Sequence, residues 1–148
     1  MTEHQAQHAD HPIIIVGFGL PGRSIAEMLD QRAVAYCVVE SNPHAARQCA
    51  ASAKRIVCGD ATEPSVLEEA GIRSASLLAI TVPHDAIVLE IVAAARALNP
   101  HIPIIARCSY TSTGMKARRA GAGEVIVAEQ VVAEEFSRRL AARLEAGD

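Results

Sequence analysis

Short apolar runs alternate with amphipathic segments along almost the whole of this 148-residue chain. The runs are rich in Val, Ile and Ala and end at Gly, Pro or a polar residue, as buried β-strands do. They predict six strands, at residues 12–16, 35–39, 55–58, 77–82, 103–108 and 124–128. Because their apolar positions are continuous rather than alternating, we expect a parallel sheet that is covered on both faces.

Each run is followed by a segment whose apolar residues recur every three or four positions, which is the period of an amphipathic helix. Asn42 and Pro43 form a cap and first helical residue, and Asn99 and Pro100 end a helix. The predicted helices lie at residues 22–31, 43–53, 63–71, 85–98 and 112–121, and from residue 130 onward. Six strand–helix units with right-handed crossovers predict a single α/β domain, a doubly wound Rossmann-type sheet of six parallel strands.

The composition agrees with one globular domain and excludes two classes of partner. Half of the residues are apolar, only 3% are aromatic, and the net charge is −3 with no basic stripe, so no nucleic-acid partner is expected. No apolar run approaches the roughly 20 residues that span a bilayer, so direct membrane insertion is not expected. The polar residues 1–11 are predicted to form a disordered tail ahead of a domain at 12–148.

The four cysteines indicate a reduced, cytoplasmic protein, because none of their spacings is a CxxC motif. Three of them, Cys37, Cys58 and Cys108, fall within strand-like runs, where a free cysteine acts as a small hydrophobic side chain. Cys108 follows Arg107 directly, which leaves a thiol of lowered pKa as the alternative to an inert buried one.

The turn after the first strand has the spacing G-x-G-x-x-G and opens the first helix, which is the context that gives this motif meaning. Gly17 permits a tight turn, Gly19 lets the backbone approach a phosphate, and Gly22 lets the helix pack against the strand. The helix N-terminus presents unpaired N–H groups to an anion. The candidate phosphate loop is therefore Gly17, Phe18, Gly19, Leu20, Pro21 and Gly22, and the alternative is a tight turn without a ligand.

Polar residues follow the other strands at the same edge of the predicted sheet. Glu40 ends the second strand eighteen residues after Gly22, where a carboxylate binds ribose hydroxyls and disfavours the 2′-phosphate of NADP. Alternatively, Glu40 is a solvated glutamate at a strand end. Asp60, at the end of the third strand, is expected near the adenine side of the same crevice, and its alternative role is a helix cap. Thr81 and Arg107 face the same edge, and a guanidinium suits a phosphate, although a structural ion pair is equally open for Arg107.

No catalytic residue and no metal site are predicted. A short-chain dehydrogenase needs a tyrosine four residues before a lysine, and neither tyrosine has one. His84 and Asp85 are the only other polar pair near the expected crevice and are interpreted as the start of a helix. The N-terminal histidines have no cysteine close to them in the sequence: His4, His8 and His11.

Several segments together resemble the TrkA-N domain, also called the RCK or KTN domain, over about residues 12–140. The similarity rests on IIIVGFGLPGRSIAEML, VVESNP, CGDATEPSVLEEAGI, SLLAITVPHDA, IIARC and GAGEVIVAEQVVAEEF. The TVP sequence at residues 81–83 is more similar to the Kef-type potassium/proton antiporter branch than to the channel branch.

The resemblance implies a cytosolic regulatory domain rather than an enzyme. In this family a nucleotide, NAD(H), AMP, ADP or ATP, lies on the glycine loop and biases a membrane potassium channel, transporter or antiporter. By position, the loop at residues 17–22 would hold phosphate, Glu40 the ribose, Asp60 and Ala61 the adenosine half, Thr81 the pocket wall and Arg107 a phosphate. The resemblance also implies a homodimer through the last helix, at Phe136, Leu140 and Leu144.

Two departures from the family pattern affect the expected ligand. Leu20 stands where many transporter-type members have an arginine, and Pro21 removes a backbone N–H donor. NAD(H) or AMP is therefore favoured, with ADP and ATP as alternatives and NADP disfavoured. The chain is expected to be a cytosolic piece of an inner-membrane protein or a free-standing subunit. Two other functions stay open: a small NAD-dependent oxidoreductase or its cofactor-binding half, and an interaction module with an empty cleft.

Overall fold

The computed structural model describes residues 11–51 and 55–147. Its strands are β1 (Ile13–Val16), β2 (Tyr36–Glu40), β3 (Ile56–Cys58), β4 (Leu77–Ile80), β5 (Ile104–Cys108) and β6 (Glu124–Val127). They form one sheet of order β3-β2-β1-β4-β5-β6, in which every neighbouring pair is parallel. The order reverses between β1 and β4, so the predicted Rossmann-type fold is confirmed.

Six helices follow the six strands, as the alternating pattern predicts. They are α1 (Leu20–Gln31), α2 (Pro43–Ala50), α3 (Pro64–Glu69), α4 (Asp85–Leu98), α5 (Thr111–Ala120) and α6 (Ala128–Ala146). Helices α3, α4 and α5 cover one face of the sheet, and α1 and α2 cover the other. No helix in the described ranges is long and apolar enough to cross a membrane.

The helix boundaries show which local signals operate. Asn42 caps α2 as predicted, because its Oδ1 accepts hydrogen bonds from the amides of His44 and Ala45. Helix α1 begins at Leu20, two residues earlier than predicted, since Pro21 is tolerated in the first turn of a helix. The predicted end of α2 near residue 53 falls in the segment 52–54, outside the described residues.

Helix α3 is shorter than predicted at its C-terminal end. It ends at Glu69, and the chain then turns through Gly71, whose φ of +90° is a left-handed conformation that glycine adopts without strain. Its N-cap is Glu63, so Asp60 does not cap the helix.

Two expectations about burial are wrong at the edge strands. The residues of β6 are not continuously buried: Val125 and Val127 face α5, while Glu124 and Ile126 are exposed because β6 lies at the sheet edge. Cys58 is exposed on the opposite edge strand, β3, whereas Cys49, outside the strands, is buried. Sequence periodicity does not show which strands will be at the edges.

Candidate functional site

A cleft of about 720 Å³ lies at the carboxyl ends of the strands, beside the switch point between β1 and β4. This is where open α/β sheets bind ligands. Ten of the eleven predicted site residues line it: Gly17, Phe18, Gly19, Leu20, Pro21, Glu40, Asp60, Ala61, Thr81 and Arg107. Gly22 does not line the cleft.

The three motif glycines have different local surroundings. Gly17 has a φ of +97°, and a Cβ on Gly22 would lie 2.1 Å from the carbonyl oxygen of Gly17. A Cβ on Gly19 would meet nothing within 4 Å. Gly17 and Gly22 are therefore required by the turn itself, whereas the backbone at Gly19 is open to the cleft.

Phe18 is held from two sides within this loop. Its amide donates a hydrogen bond of 2.8 Å to Oε2 of Glu40, and its carbonyl accepts one of 3.2 Å from Nε of Arg23. The Arg23 guanidinium also lies over the Phe18 ring, 5.3 Å from its centroid. Arg23 lines the cleft, and sequence reasoning missed it because its only signal is its place directly after the motif.

Glu40 is half-buried at the end of β2 and does more than face solvent. Besides Phe18, it accepts a hydrogen bond of 3.0 Å from the amide of Asn42 through Oε1. The carboxylate thus joins the glycine loop to the start of α2. An ionised carboxylate has about four acceptor positions, so two bonds to the backbone leave capacity for ribose hydroxyls.

Thr81 and Asp60 each have a structural contact at the cleft. The Thr81 hydroxyl donates to the carbonyl of Val16 at 2.8 Å and fastens the end of β4 to β1. Oδ1 of Asp60 accepts hydrogen bonds from the amide and the hydroxyl of Thr62, and these bonds hold the pKa of Asp60 below its usual range. Asp60 therefore carries a negative charge in the turn before α3 at neutral pH.

Arg107 is half-buried at the end of β5, and its charge has no acidic partner in the described part of the chain. Its Nη1 atom is buried without a hydrogen-bond partner, and the three ion pairs found among those residues lie elsewhere. A structural ion pair is therefore the wrong interpretation of Arg107. A buried donor of this kind is costly until an acceptor reaches it.

Cys108 behaves as a core residue, and Asp85 as the first residue of a helix. Burial, and then the charge of Asp85, raise the pKa of Cys108 against the opposing effect of Arg107, so the alternative of an activated thiol is wrong. Helix α4 begins at Asp85 with His84 as N-cap, as interpreted from sequence. Burial alone would raise the pKa of Asp85, but hydrogen bonds, chiefly from the Ser109 amide, bring it below its usual value.

No group of three or more His, Cys, Asp or Glu residues is arranged to hold a metal ion within residues 11–51 and 55–147. His11 lies at the start of this range, where its Nδ1 is 2.8 Å from the carbonyl oxygen of Ser74. His4 and His8 lie outside the described residues.

Comparison with protein families identifies one model, the TrkA-N domain, which matches residues 13–128. Among curated proteins, the putative cation/proton antiporter YbaL of Escherichia coli is 31% identical over 120 residues, 81% of this chain and 22% of YbaL. Potassium channel protein 1 of Methanocaldococcus jannaschii is 31% identical over 115 residues, 76% of this chain and 34% of the channel protein. The chain thus spans between about a fifth and a third of these relatives.

Solved structures have the same fold. The TrkA-N domain of the inner membrane protein YbaL from Escherichia coli superposes with a TM-score of 0.83 at 30% identity, covering 88% of this chain and 96% of that one. The GsuK protein bound to ADP has a TM-score of 0.78 at 28% identity, covering 94% and 36%. The GsuK channel bound to NAD has a TM-score of 0.73 at 25% identity, covering 78% and 21%.

Proposed function

The chain belongs to the TrkA-N domain family, and we propose that it is a cytosolic regulatory domain that binds an adenine nucleotide. The bound nucleotide would bias a membrane partner, a potassium channel, transporter or potassium/proton antiporter. The observation that carries the proposal is the cleft itself. The open backbone of Gly19, the carboxylate of Glu40 and the guanidinium of Arg107, whose Nη1 has no partner among the described residues, all line it. Relatives that are antiporter and channel proteins support the class of partner.

The cleft favours NAD(H) or AMP among adenine nucleotides, with ADP and ATP as alternatives. The loop offers few donors to a terminal phosphate, since Leu20 carries no charge, is 84% exposed, and precedes Pro21, which lacks an N–H. The carboxylate of Glu40 would repel the 2′-phosphate of NADP. The binding of ADP and of NAD by GsuK supports this class of ligand for the same fold.

Regulation requires the nucleotide to favour one arrangement of the domain over another. A ligand with equal affinity for two arrangements shifts neither, however tightly it binds. The groups suited to unequal contact are Arg107 and the loop amides. Whether a nucleotide binds them depends on how many phosphates it has. Exchange of one nucleotide for another would then change the state of the membrane partner.

We favour this role over a small NAD-dependent oxidoreductase. Among the described residues, the cleft lining contains no lysine, tyrosine or cysteine, and its single histidine, His84, is exposed. Proton transfer beside a nicotinamide normally uses one of these groups. The third possibility, an interaction module with an empty cleft, differs in that no nucleotide would bind.

Glu40→Ala tests the ribose role directly. The variant loses hydrogen bonds to a charged acceptor, so affinity for ADP or NAD should fall about ten- to hundredfold, and the freed Phe18 amide should lower stability by about 1–3 kcal/mol. Affinity for NADP should fall less than affinity for NAD, because the repulsive charge is also removed. Calorimetric titration with both cofactors checks this difference.

Glu27→Ala is the matched control, since Glu27 is an exposed carboxylate of α1 that does not line the cleft. It should leave both affinities unchanged. An unaltered NAD affinity in Glu40→Ala would remove Glu40 from the ribose site, and an unaltered NAD-to-NADP ratio would remove its role in selectivity.

We further propose that the domain pairs with a second copy through α6. None of the residues of Ala128–Ala146 is buried, although the helix is about 28 Å long. An apolar stripe with four-residue spacing runs along it, and its members are between 54% and 79% exposed: Val132, Phe136, Leu140 and Leu144. Most of the stability of a helix in a protein comes from tertiary packing of its apolar face, so a partner surface on this stripe would stabilise α6.

The charges of α6 favour an antiparallel arrangement of the two copies. The N-terminal half carries Glu129, Glu134 and Glu135, and the C-terminal half carries Arg138, Arg139, Arg143 and Glu145. An antiparallel pair places each acidic half beside the partner's basic half, whereas a parallel pair would place like charges together. Such a contact is the same on both copies, as a twofold dimer requires.

Leu140→Glu should convert the dimer to monomers. The substitution places a charge in the middle of the apolar stripe, where burial against a partner would cost several kcal/mol, while an exposed residue of the monomer tolerates it. Sedimentation velocity measures the change, and Met28→Glu on α1 is the control, because Met28 is also a surface hydrophobic residue. A Leu140→Glu protein that still sediments as a dimer would show that α6 is not the interface.

A further inference from the structure

The base of α6 is joined to the edge of the cleft through the residue that follows β5. Ser109 donates its amide to Oδ1 of Asp85 at 2.8 Å, and its carbonyl accepts a hydrogen bond from the amide of Glu129 at 3.4 Å. One peptide segment therefore contacts the first residue of α4 on one side and the first turn of α6 on the other. Neither the proposed nucleotide site nor the proposed dimer contact depends on these hydrogen bonds.

A second set of contacts closes the bridge at α6. Oε1 of Glu129 accepts hydrogen bonds from both the amide and the hydroxyl of Thr111, each at 3.1 Å. Nε2 of Gln130 donates to the same hydroxyl at 3.2 Å. The first turn of α6 is thus clamped to the first turn of α5, while the rest of α6 has no buried residue.

The other end of the bridge adjoins residues of the cleft. Ser109 lies two positions after Arg107, and Asp85 directly follows His84, both of which line the cleft. An anionic group that engages Nη1 of Arg107 would fix the end of β5, which is the segment that places Ser109 between Asp85 and Glu129.

We infer that Asp85 and Glu129 are positioning residues that transmit nucleotide occupancy of the cleft to α6. This inference rests on the proposed nucleotide site. The element that both ends of the bridge would bias is the first turn of α6, which is either clamped on Thr111 or released from it. Binding at Arg107 favours the clamped state, because it restricts the segment from Arg107 to Ser109. The released state leaves α6 free to change its direction relative to the sheet.

Hydrogen exchange of the full chain, followed by mass spectrometry with and without saturating NAD, AMP or ADP, tests this inference. Exchange across residues 128–135 should slow roughly fivefold or more on binding in the wild-type protein, a typical size for coupling between sites. Asp85→Ala and Glu129→Ala should bind the nucleotide, measured by calorimetry, yet lose this slowing. Asp85→Asn and Glu129→Gln keep the accepting oxygen and should restore it.

Glu90→Ala, an exposed change elsewhere on α4, is the control and should behave as the wild type does. Slowing that persists in both alanine variants overturns the inference, as does a wild-type protein that binds nucleotide with unchanged exchange in α6. A wild-type protein that binds no adenine nucleotide overturns the proposed function and this inference with it. Using two alanine variants at opposite ends of the bridge keeps the test valid if one of them unfolds.

Discussion

Gly22→Ala is expected to destabilise the protein by about 3 kcal/mol or more. The new Cβ would lie 2.1 Å from the carbonyl oxygen and 3.0 Å from the carbonyl carbon of Gly17, and both are backbone atoms. Neither can rotate away as a side chain would. The start of α1 would have to move off β1, which separates the glycine loop from the sheet that supports it.

Gly19→Ala, three residues earlier in the same loop, should give the opposite result. Its Cβ meets no atom within 4 Å, and the φ of −76° suits any residue, so stability should change by no more than about 1 kcal/mol. The methyl group would occupy the space that a phosphate needs, so affinity for ADP or NAD should fall at least about tenfold.

Chemical denaturation and calorimetric titration of both variants separate the two effects. The expected pattern is an unstable Gly22→Ala protein and a stable Gly19→Ala protein that binds poorly. A Gly19→Ala protein that binds nucleotide as the wild type does would show that ligand does not approach this backbone. A fully stable Gly22→Ala protein would contradict the packing of α1 on the turn.

Arg107→Met should weaken nucleotide binding and stabilise the unliganded protein at the same time. The guanidinium has a buried Nη1 with no partner in the described part of the chain, so its removal relieves a desolvation cost of about 1–3 kcal/mol. Methionine fills the same volume without a buried donor. Loss of a charged hydrogen bond to phosphate should lower affinity about ten- to hundredfold.

Arg107→Met is informative because its expected effects on stability and on nucleotide affinity have opposite signs. A general structural defect lowers both stability and affinity, whereas a residue kept for ligand binding lowers affinity while stability rises. Thermal unfolding and titration with ADP measure the two quantities, with Arg119→Met as control because Arg119 is exposed on α5. Unchanged ADP affinity in Arg107→Met would remove this residue from the phosphate site.

The sequence predicts the order and type of every element because apolar periodicity and cap residues are local signals. All six strands agree with the structure to within two residues at each end, and the stop at Asn99 is confirmed, as is the Asn42 cap. The errors occur where tertiary position decides. Ile126 and Cys58 have the sequence of buried strand residues, but they lie on edge strands that only the sheet order identifies.

In the candidate site too, residue positions can be predicted from the local sequence, whereas the contacts between residues depend on the tertiary structure. The glycine spacing and the strand-end positions of Glu40 and Arg107 locate the cleft, because parallel strands bring their carboxyl ends to one edge. Their contacts are not readable from sequence. Glu40 accepts a hydrogen bond from the Phe18 amide, and Arg23 donates one to the Phe18 carbonyl. Arg107 has no ion-pair partner within residues 11–51 and 55–147. These contacts depend on tertiary distances between different elements.

The central claim, that the cleft binds an adenine nucleotide, is tested most directly by thermal unfolding of the wild-type chain with NAD, NADH, NADP, AMP, ADP and ATP. A ligand at about a hundred times its dissociation constant should add roughly 2.7 kcal/mol, which raises the unfolding temperature by several degrees in a protein of this size. We expect such a rise with NAD(H) or AMP and a smaller one with NADP. No rise with any of the six would contradict it and leave the glycine loop as a structural turn.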